Sequence, residues 1–494
     1  MKREMNLILS LLIAATFLSG CTNKNDTPQS EIEILNAESQ NQVILANETS
    51  GVDVNFSTPD AWYSRVTLQN PVQGMASWIR INPDKGNAAG KYTVSISLDP
   101  NTSKNDRVAG IILASNGKSL NINVTQKGKE STNGNKQAWE KYLVRDNLTT
   151  QDLVDEMGLG INLGNTMEAC GDWINPGNIL NYEQAWGAPV TTKKIIAGYA
   201  NAGFSSLRIP VSWSNMMLAD YTINPALLAR VDSIVNWTID NGMIAMVNEH
   251  WDGGWLTNYP TNKVEVTKKF TKMWQQISDH FRNYGDHLLF ESMNEVGFDS
   301  IWTPWSGGPA QKKEAFGYVN ELNQTFVDVV RASGGNNAKR HLVIEVYNTG
   351  LEYAYDPNFK MPTDPANRCA ATVHYYTPAV FAILGADADW GKARATWGTD
   401  ADFKELNDNM DNLKKNCVDK GIPIIVGEFA ACGGNKTEEM VRLYGVSVSE
   451  AVYSRRMCPM LWDTPNWQYN RVTYKFNDPL YIEQLNAIKV NHPR

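Results

Sequence analysis

The strongest constraint on this chain is a rhythm. From residue 138 to residue 494, short apolar runs alternate with longer amphipathic stretches. The runs lie at residues 158–162, 206–210, 244–248, 288–293, 342–347, 371–374, 423–427 and 458–462. Between them, residues 225–240, 264–284, 312–333, 403–417 and 438–447 carry the periodicity of helices with one apolar face. Runs apolar on both faces fit strands of a parallel sheet, and parallel neighbours need a crossover such as a helix. Eight such units predict an α/β fold, a (β/α)₈ or TIM barrel over residues 138–494. The spacing of the runs supports this more than any single run does. No short repeat of the solenoid kind is present.

At 494 residues the chain is too long for one ordinary domain, and the region ahead of the barrel has a different texture. Lys2 and Arg3 precede an apolar run at residues 7–18, too short to span a bilayer comfortably. This reads as a secretory signal, and Leu18-Ser19-Gly20-Cys21 resembles a bacterial lipobox, which implies a lipid on Cys21 and an exported protein held at the outer membrane or cell surface of a Gram-negative bacterium. Residues 22–30 are polar and form a tether, and residues 128–137 form a linker rich in Gly, Ser, Asn and Lys. Between them, residues 31–127 alternate with period two in short segments such as Val52-Asp53-Val54-Asn55-Phe56 and Leu120-Asn121-Ile122-Asn123-Val124. Turn signals at Pro83-Asp84-Lys85-Gly86 and Ser115-Asn116-Gly117 separate them, predicting a small all-β sandwich. The run Trp78-Ile79-Arg80-Ile81-Asn82-Pro83, with Gly86, Asp106-Arg107 and Val124-Thr125-Gln126, resembles a BACON domain. That resemblance implies an immunoglobulin-like sandwich of the kind placed ahead of carbohydrate enzymes. No line of exposed aromatics marks it as a sugar binder, Trp62 and Trp78 fit core positions, and it reads as a spacer.

Composition narrows the partners. The net charge of −8 argues against nucleic acid, which needs a basic footprint, and leaves a neutral sugar polymer open. The 16 Trp and 19 Tyr are numerous enough to line a site that stacks flat ligands. With Cys21 lipidated, five cysteines remain, so one thiol is left over; Cys369 and Cys417 are the preferred disulfide pair because they flank neighbouring elements. No Cys/His spacing marks a zinc site.

In a (β/α)₈ barrel, chemistry sits at the C-terminal ends of the strands. There the runs end in Asn162-Leu163-Gly164-Asn165, Leu207-Arg208-Ile209-Pro210, Asn248-Glu249-His250-Trp251, Asn294-Glu295, His374-Tyr375-Tyr376, Gly427-Glu428-Phe429 and Leu461-Trp462-Asp463. Taken singly, each is an ordinary polar start to a loop; together they form a site. Strands four and seven lie across the barrel mouth, so Glu295 and Glu428 can face a bound sugar from two sides. Glycosidic cleavage needs an acid for the leaving oxygen and an anion at the anomeric carbon, about 5–5.5 Å apart in retaining enzymes. Arg208 is expected to keep one carboxylate ionised, and that negative charge to raise the proton affinity of the other.

Asn294-Glu295, Gly427-Glu428-Phe429, Arg208, His250, His374-Tyr375-Tyr376 and Trp462 together resemble glycoside hydrolase family 5, the cellulase family. Gly160-Ile161-Asn162-Leu163-Gly164-Asn165-Thr166 and Trp186-Gly187-Ala188-Pro189 look like its endoglucanase and xyloglucanase branches. The resemblance implies a retaining endo-β-1,4-glucanase without cofactor, acting as a monomer on a β-linked polysaccharide. It implies Glu295 as acid/base, Glu428 as nucleophile, and Asn294, Arg208, His250, His374, Tyr376 and Trp462 as substrate-binding residues, to which Asn165, Trp251 and Trp255 are added. Three departures stand out: Val296 follows Glu295 where the family often has Pro, Trp251 follows His250 where a second His is common, and Ala430 follows Phe429 where Gly is usual.

Trp302, Trp305, Trp213 and Trp467 either stack sugar or pin their loops, and His280 and His287 read as surface residues. Glu249 and Asp463 are open between buried support and solvated ends, and Glu345 fits an inward-pointing support. Other substrates within the enzyme class are xyloglucan, mixed-linkage glucan and mannan. Outside it stand a surface lipoprotein that binds glycan without cutting it and an adhesive protein worked by the β domain.

Overall fold

A computed structural model describes residues 31–44, 49–68, 78–101, 106–127, 140–465 and 467–494. The expected signal, lipobox and tether at residues 1–30, and the linker up to residue 137, lie outside them. The chain divides into two compact units, Met1–Asn133 and Gly134–Arg494.

In the second unit, eight parallel strands close into a barrel in sequence order: β1 (Gly160–Asn162), β2 (Ser206–Ile209), β3 (Ile244–Asn248), β4 (Leu288–Glu291), β5 (Leu342–Glu345), β6 (Cys369–His374), β7 (Ile424–Phe429) and β8 (Cys458–Leu461). The β8–β1 pairing, with Gly160 opposite Met460, completes the ring. The crossover helices begin where local chemistry favours it. Asn224 caps the helix Pro225–Asp240 by accepting the Ala226 N–H, and Pro225 stands where no N–H is required. Thr399 and Asp402 form a capping box at the start of Asp400–Asn416. Helix Pro225–Asp240 buries Leu227, Val231, Ile234, Val235, Thr238 and Ile239, one stripe at helical spacing.

Inside the ring the strands carry two kinds of residue. At the N-terminal end, Ile244, Met246, Leu289, Val343, Ala370, Ile425, Cys458 and Met460 form an apolar plug, closed by Leu153, Val154 and Met157 of helix Thr150–Met157. Two residues further along the same strands, the inward positions become polar, and there the mouth begins.

The first unit holds two sheets around one core. Strands Glu33–Ile34, Val54–Thr58, Gly90–Leu98 and Ile79–Asn82 form one sheet; Asn41–Ile44, Lys118–Gln126, Arg107–Ser115, Trp62–Leu68 and Lys85–Gly86 form the other. Ala109, Ile111, Leu113, Ile122 and Val124 of one face Val54, Phe56, Val94 and Ile96 of the other. Asn116 and Gly117, with φ of 46° and 74°, make the tight hairpin turn that pairs Ser115 with Lys118. Trp62 is buried edge-on to Phe56, and Trp78 lies half-buried beneath the Arg107 guanidinium.

Two expectations need correction. Cys369 and Cys417 form no disulfide, because the thiols turn to different partners: Cys369 Sγ donates to Asp364 Oδ2 at 3.3 Å and Cys417 Sγ to the Ala354 carbonyl at 3.6 Å. His287 is not a surface residue. It enters β4, where its carbonyl accepts the Ala245 N–H, and this pairing carries its ring into the interior. His280 is exposed, 3.6 Å from Asp232.

Candidate active site

The mouth is organised by one buried cation. Arg208 lies near the end of β2 with no exposure to solvent. Its Nε donates to Glu291 Oε2 at 2.7 Å, Nη1 to Glu428 Oε1 at 2.7 Å and to Asn162 Oδ1 at 3.1 Å, and Nη2 to Asn294 Oδ1 at 2.6 Å. Burial alone would lower its affinity for the proton, but Glu291 and Glu428 outweigh that and raise it. An Arg between two carboxylates makes a rigid fork that binds four elements of the barrel into one frame. Asn162 extends the frame, its Nδ2 donating to the carbonyls of Gly427, Met460 and Leu461.

Glu428 of β7 is nearly buried, with 7% of its side chain exposed. Its Oε2 accepts the Tyr376 hydroxyl at 3.0 Å. Desolvation raises its pKa above the usual carboxylate range, while His374 and Arg208 pull it back. Burial and the adjacent carboxylates keep Tyr376 a phenol, a donor to Glu428. Glu295 is open, with 46% of its side chain exposed, and its Oε1 accepts from His374 Nδ1 at 2.8 Å. One oxygen of Glu295, one of Glu428 and a nitrogen of His374 all lie within 4.8 Å of one another.

The expected electrostatic polarity is corrected here. The charge on Glu428 was expected to raise the acid's pKa. Desolvation does raise Glu295, but the hydrogen bond and charge of His374, with Arg208 beyond, bring it below its ordinary value in the open cleft. The neighbouring imidazole, absent from the two-carboxylate argument, reverses the direction.

Hydrogen bonding also fixes which atoms face substrate. Arg208 can only donate, so it takes the Asn294 oxygen and leaves the amide NH₂ toward the cleft. Asn248 Oδ1 accepts the Val211 N–H, so its Nδ2 donates to His250 Nδ1 at 3.1 Å. His250 then carries its proton on Nε2, and burial with the Arg208 and His374 charges holds it well below the usual pKa, so the ring stays neutral. Its plane lies 7° from that of Trp462, with centroids 6.0 Å apart. Gly164 permits this floor: a Cβ there would sit 2.6 Å from the Asp463 carbonyl and about 3.0 Å from the Trp462 ring. Asn165 follows in a left-handed conformation (φ 55°), its N–H donating to Glu168 together with that of Thr166.

His250, Glu295, Tyr376, Glu428 and Trp462 thus line one cleft of about 590 Å³, walled further by Ile383 and Trp467. Arg208, Asn294 and His374 border it from below through the bonds given above. Three assigned residues lie elsewhere, Asn165 among them on its turn beside Glu168. Trp251 is 56% exposed and faces a separate hollow with Tyr182, Met216 and Asp252. Trp255 does not reach the cleft: Asp252 accepts its indole N–H at 3.2 Å and Lys269 lies 4.1 Å over its ring, which pins it to its own loop. Trp213 is likewise core, donating to the Asn248 carbonyl, and Trp302 is buried while Trp305 stands 92% exposed. Glu249 and Asp463 are both fully buried; Asp463 accepts the Gln468 and Tyr469 N–H groups and the Tyr199 hydroxyl, tying down the loop after β8.

Glu291 carries a role that sequence reasoning did not assign. Its signal was a Glu inside the apolar run Leu288-Leu289-Phe290-Glu291, with an Arg at the matching place in β2. Ile383, just past the short helix Ala379–Ala382 after β6, gave no signal. Among the described residues, the trio Glu295, His374 and Glu428 is also the group with spacing for a metal ion, but each member already has a hydrogen-bonding partner and Arg208 supplies the positive charge.

Comparison with known proteins agrees with this geometry. The family model for cellulase (glycosyl hydrolase family 5) matches residues 167–467, and the BACON model, a putative N-terminal binding domain, matches residues 70–127. The xyloglucan-specific endo-β-1,4-glucanase of Bacteroides ovatus is 30% identical over 481 residues, covering 92% of this chain and 91% of that protein. Endoglucanase B of Clostridium cellulovorans is 35% identical over 322 residues, 65% of this chain and 69% of that one. Among solved structures, a family 5 lichenase from Caldicellulosiruptor sp. F32 superposes with a TM-score of 0.64 at 30% identity, covering 73% of this chain and 98% of that chain.

Proposed function

The chain belongs to glycosyl hydrolase family 5, and from that premise and the geometry of the mouth we propose that it cleaves β-1,4-linked glucan internally, with retention of anomeric configuration. The observation that carries this is that one carboxyl oxygen of Glu295 and one of Glu428 lie within 4.8 Å of each other across the cleft. An inverting pair stands about 6.5–9.5 Å apart to admit a water, whereas a retaining pair stands at about 5–5.5 Å.

Glu428 is the nucleophile. Arg208 and Tyr376 hold its two oxygens and keep it anionic. It attacks the anomeric carbon while Glu295 gives its proton to the departing oxygen, leaving a glycosyl ester on Glu428. Glu295, now a carboxylate, then takes a proton from a water that attacks the same carbon and frees Glu428. A sugar lying over the half-exposed Glu295 excludes water from it, and desolvation raises its proton affinity at the moment an acid is required. His250 Nε2–H and the Asn294 amide donate to sugar hydroxyls, and Trp462 supplies the stacking floor.

The endoglucanase, xyloglucanase and lichenase activities named for its relatives support a β-glucan substrate, whether cellulose-type, mixed-linkage or xyloglucan. The basic start, short apolar run and Leu18-Ser19-Gly20-Cys21 support export and a lipid anchor on Cys21. Each chain carries the full catalytic set, which supports action as a monomer. The test is reducing-end release by the full chain on carboxymethyl-cellulose, mixed-linkage glucan, xyloglucan and mannan, with proton NMR of the first product. β-Anomer from a β-glucan is expected; α-anomer overturns the double displacement, and no release from any polymer overturns the enzyme.

A further inference from the structure

Glu345 ends β5 with no exposure to solvent and forms no ion pair among the described residues. Its carboxyl points at the peptide that follows Glu295: Oε1 accepts the Val296 N–H at 2.5 Å. Val296 is itself buried, and its carbonyl accepts the Asn348 N–H at 2.9 Å, so this peptide is held on both sides by the segment after β5. Glu295 needs such support. It stands at φ 52°, a left-handed conformation that a non-glycine residue occupies only when its surroundings impose it. A proline after Glu295 would need no acceptor; Val296 brings an N–H into the interior, where an unpaired donor is costly. Glu345 is itself fixed: its N–H donates to Ser292 Oγ, its carbonyl accepts from Asn323 Nδ2, and Ser292 Oγ donates to Asn323 Oδ1.

We infer that Glu345 is a positioning residue for Glu295, its carboxyl oxygen locking the left-handed turn that aims the acid across the cleft at Glu428. This rests on Glu295 being the acid/base. Burial, with the charges of Glu291 and Glu295, pushes the Glu345 carboxyl well above the usual range, so it acts as an uncharged acceptor and adds no negative charge beside the acid.

The test uses the full chain with an unactivated β-glucan and an aryl β-cellobioside whose leaving group departs without a proton. Glu345→Val should lower kcat on the glucan by up to about 10²-fold with little change in KM. On the aryl glycoside it should lose no more than about threefold, because acid catalysis is not needed there. Glu345→Gln, which keeps the carbonyl acceptor, should restore most of the loss. Equal losses on both substrates, or a Gln variant as impaired as Val, overturn the inference. If the Val variant does not fold, Glu345→Met at similar volume takes its place under the same criteria. Glu295→Ala, run alongside, separates the two claims: an equal loss on both substrates there removes the acid/base assignment itself, and the positioning role with it.

Discussion

The two ends of the barrel interior are built on the same strands and obey opposite rules. On β4, Leu289 points into the plug and Glu291, two residues later, into the mouth; on β5 the pair is Val343 and Glu345; on β6, Ala370 and His374 stand at the two ends. The plug carries no charge, and its buried Ser206 hydroxyl is satisfied by the Met157 carbonyl. The mouth buries the charges of Arg208, Glu291 and Glu428 at or near zero exposure, beside the uncharged Glu345. Burying apolar surface stabilises, by about 25 cal/mol per Å², whereas each buried charge costs several kcal/mol before pairing repays it. The strand ends nearer the plug therefore hold the barrel together, and the same strands two residues on spend part of that stability on a charged frame. Substitutions should separate the two ends: those in the plug should change stability and spare turnover, and those at the reacting groups should do the reverse.

The sharpest contrast comes from Glu428→Ala. Removal of the nucleophile should lower kcat on β-glucan by about 10⁴-fold or more, equivalent to roughly 5–6 kcal/mol of barrier. The thermal midpoint should fall little, because Arg208 keeps Glu291, Asn162 and Asn294 as partners. Unfolding of the variant at the assay temperature would show that the mouth is also structural and would break the contrast.

Arg208→Leu tests the frame between the two ends. It removes the cation shared by Glu291 and Glu428 and leaves uncompensated buried charge, which costs about 3–5 kcal/mol. Denaturant unfolding should show that loss together with loss of turnover. In the plug, Leu289→Ala should cost about 2–5 kcal/mol through the cavity it leaves, with kcat unchanged below the new midpoint. A large fall in kcat there would show that the ends are coupled through the strand.

How much of this was visible in the sequence follows from the same division. Strands recur where apolar runs demand burial, so β3 was read at Ile244–Asn248 and the helix at Pro225–Asp240 with the limits the structure shows. The charged strand ends were legible because polar residues recur at the ends of several apolar runs at once, and Arg208, Glu428, Tyr376 and His374 do meet. What failed belongs to loops and to pairings. Trp255 was expected in the cleft because indoles there stack sugars, but its path is set by Asp252 and Lys269, contacts that no periodicity encodes. Cys369 and Cys417 occupy ends of neighbouring elements, yet side-chain direction decides a disulfide and spacing does not. The acid's electrostatics were misjudged because pairwise reasoning on two glutamates omitted the imidazole between them.

Glu168 offers a smaller test at the rim. Burial raises its pKa from 4.5 to about 7, against the Asn165 and Thr166 N–H groups and Arg471, which lower it. Between pH 4.5 and 7 the folded protein keeps a proton that the unfolded chain has released. This contribution is therefore complete below pH 4.5 and is lost as pH rises through 7, a gap of roughly 3 kcal/mol. Unfolding free energy should fall over that window, and Glu168→Gln should flatten the fall. An unchanged slope in the variant would assign the dependence to other groups.

The subtlest expected effect is a displacement without a large loss of structure. His374 pulls both carboxyls of the pair down: it bonds Glu295 and stands 3.7 Å from Glu428. Its charge opposes desolvation at each. With a sugar over Glu295 raising its proton affinity, the kcat profile falls on the basic side where Glu295 loses its proton and on the acidic side where Glu428 gains one. In His374→Ala, desolvation is less opposed at both sites, so Glu295 should hold its proton to higher pH and Glu428 should accept one at higher pH. Both limbs of kcat against pH should then move upward together. If His374 served only to line the sugar subsite, the profile would lose height and stay where it is. That outcome would place the residue with the binding surface and leave Arg208 as the group that sets the charge balance of the mouth.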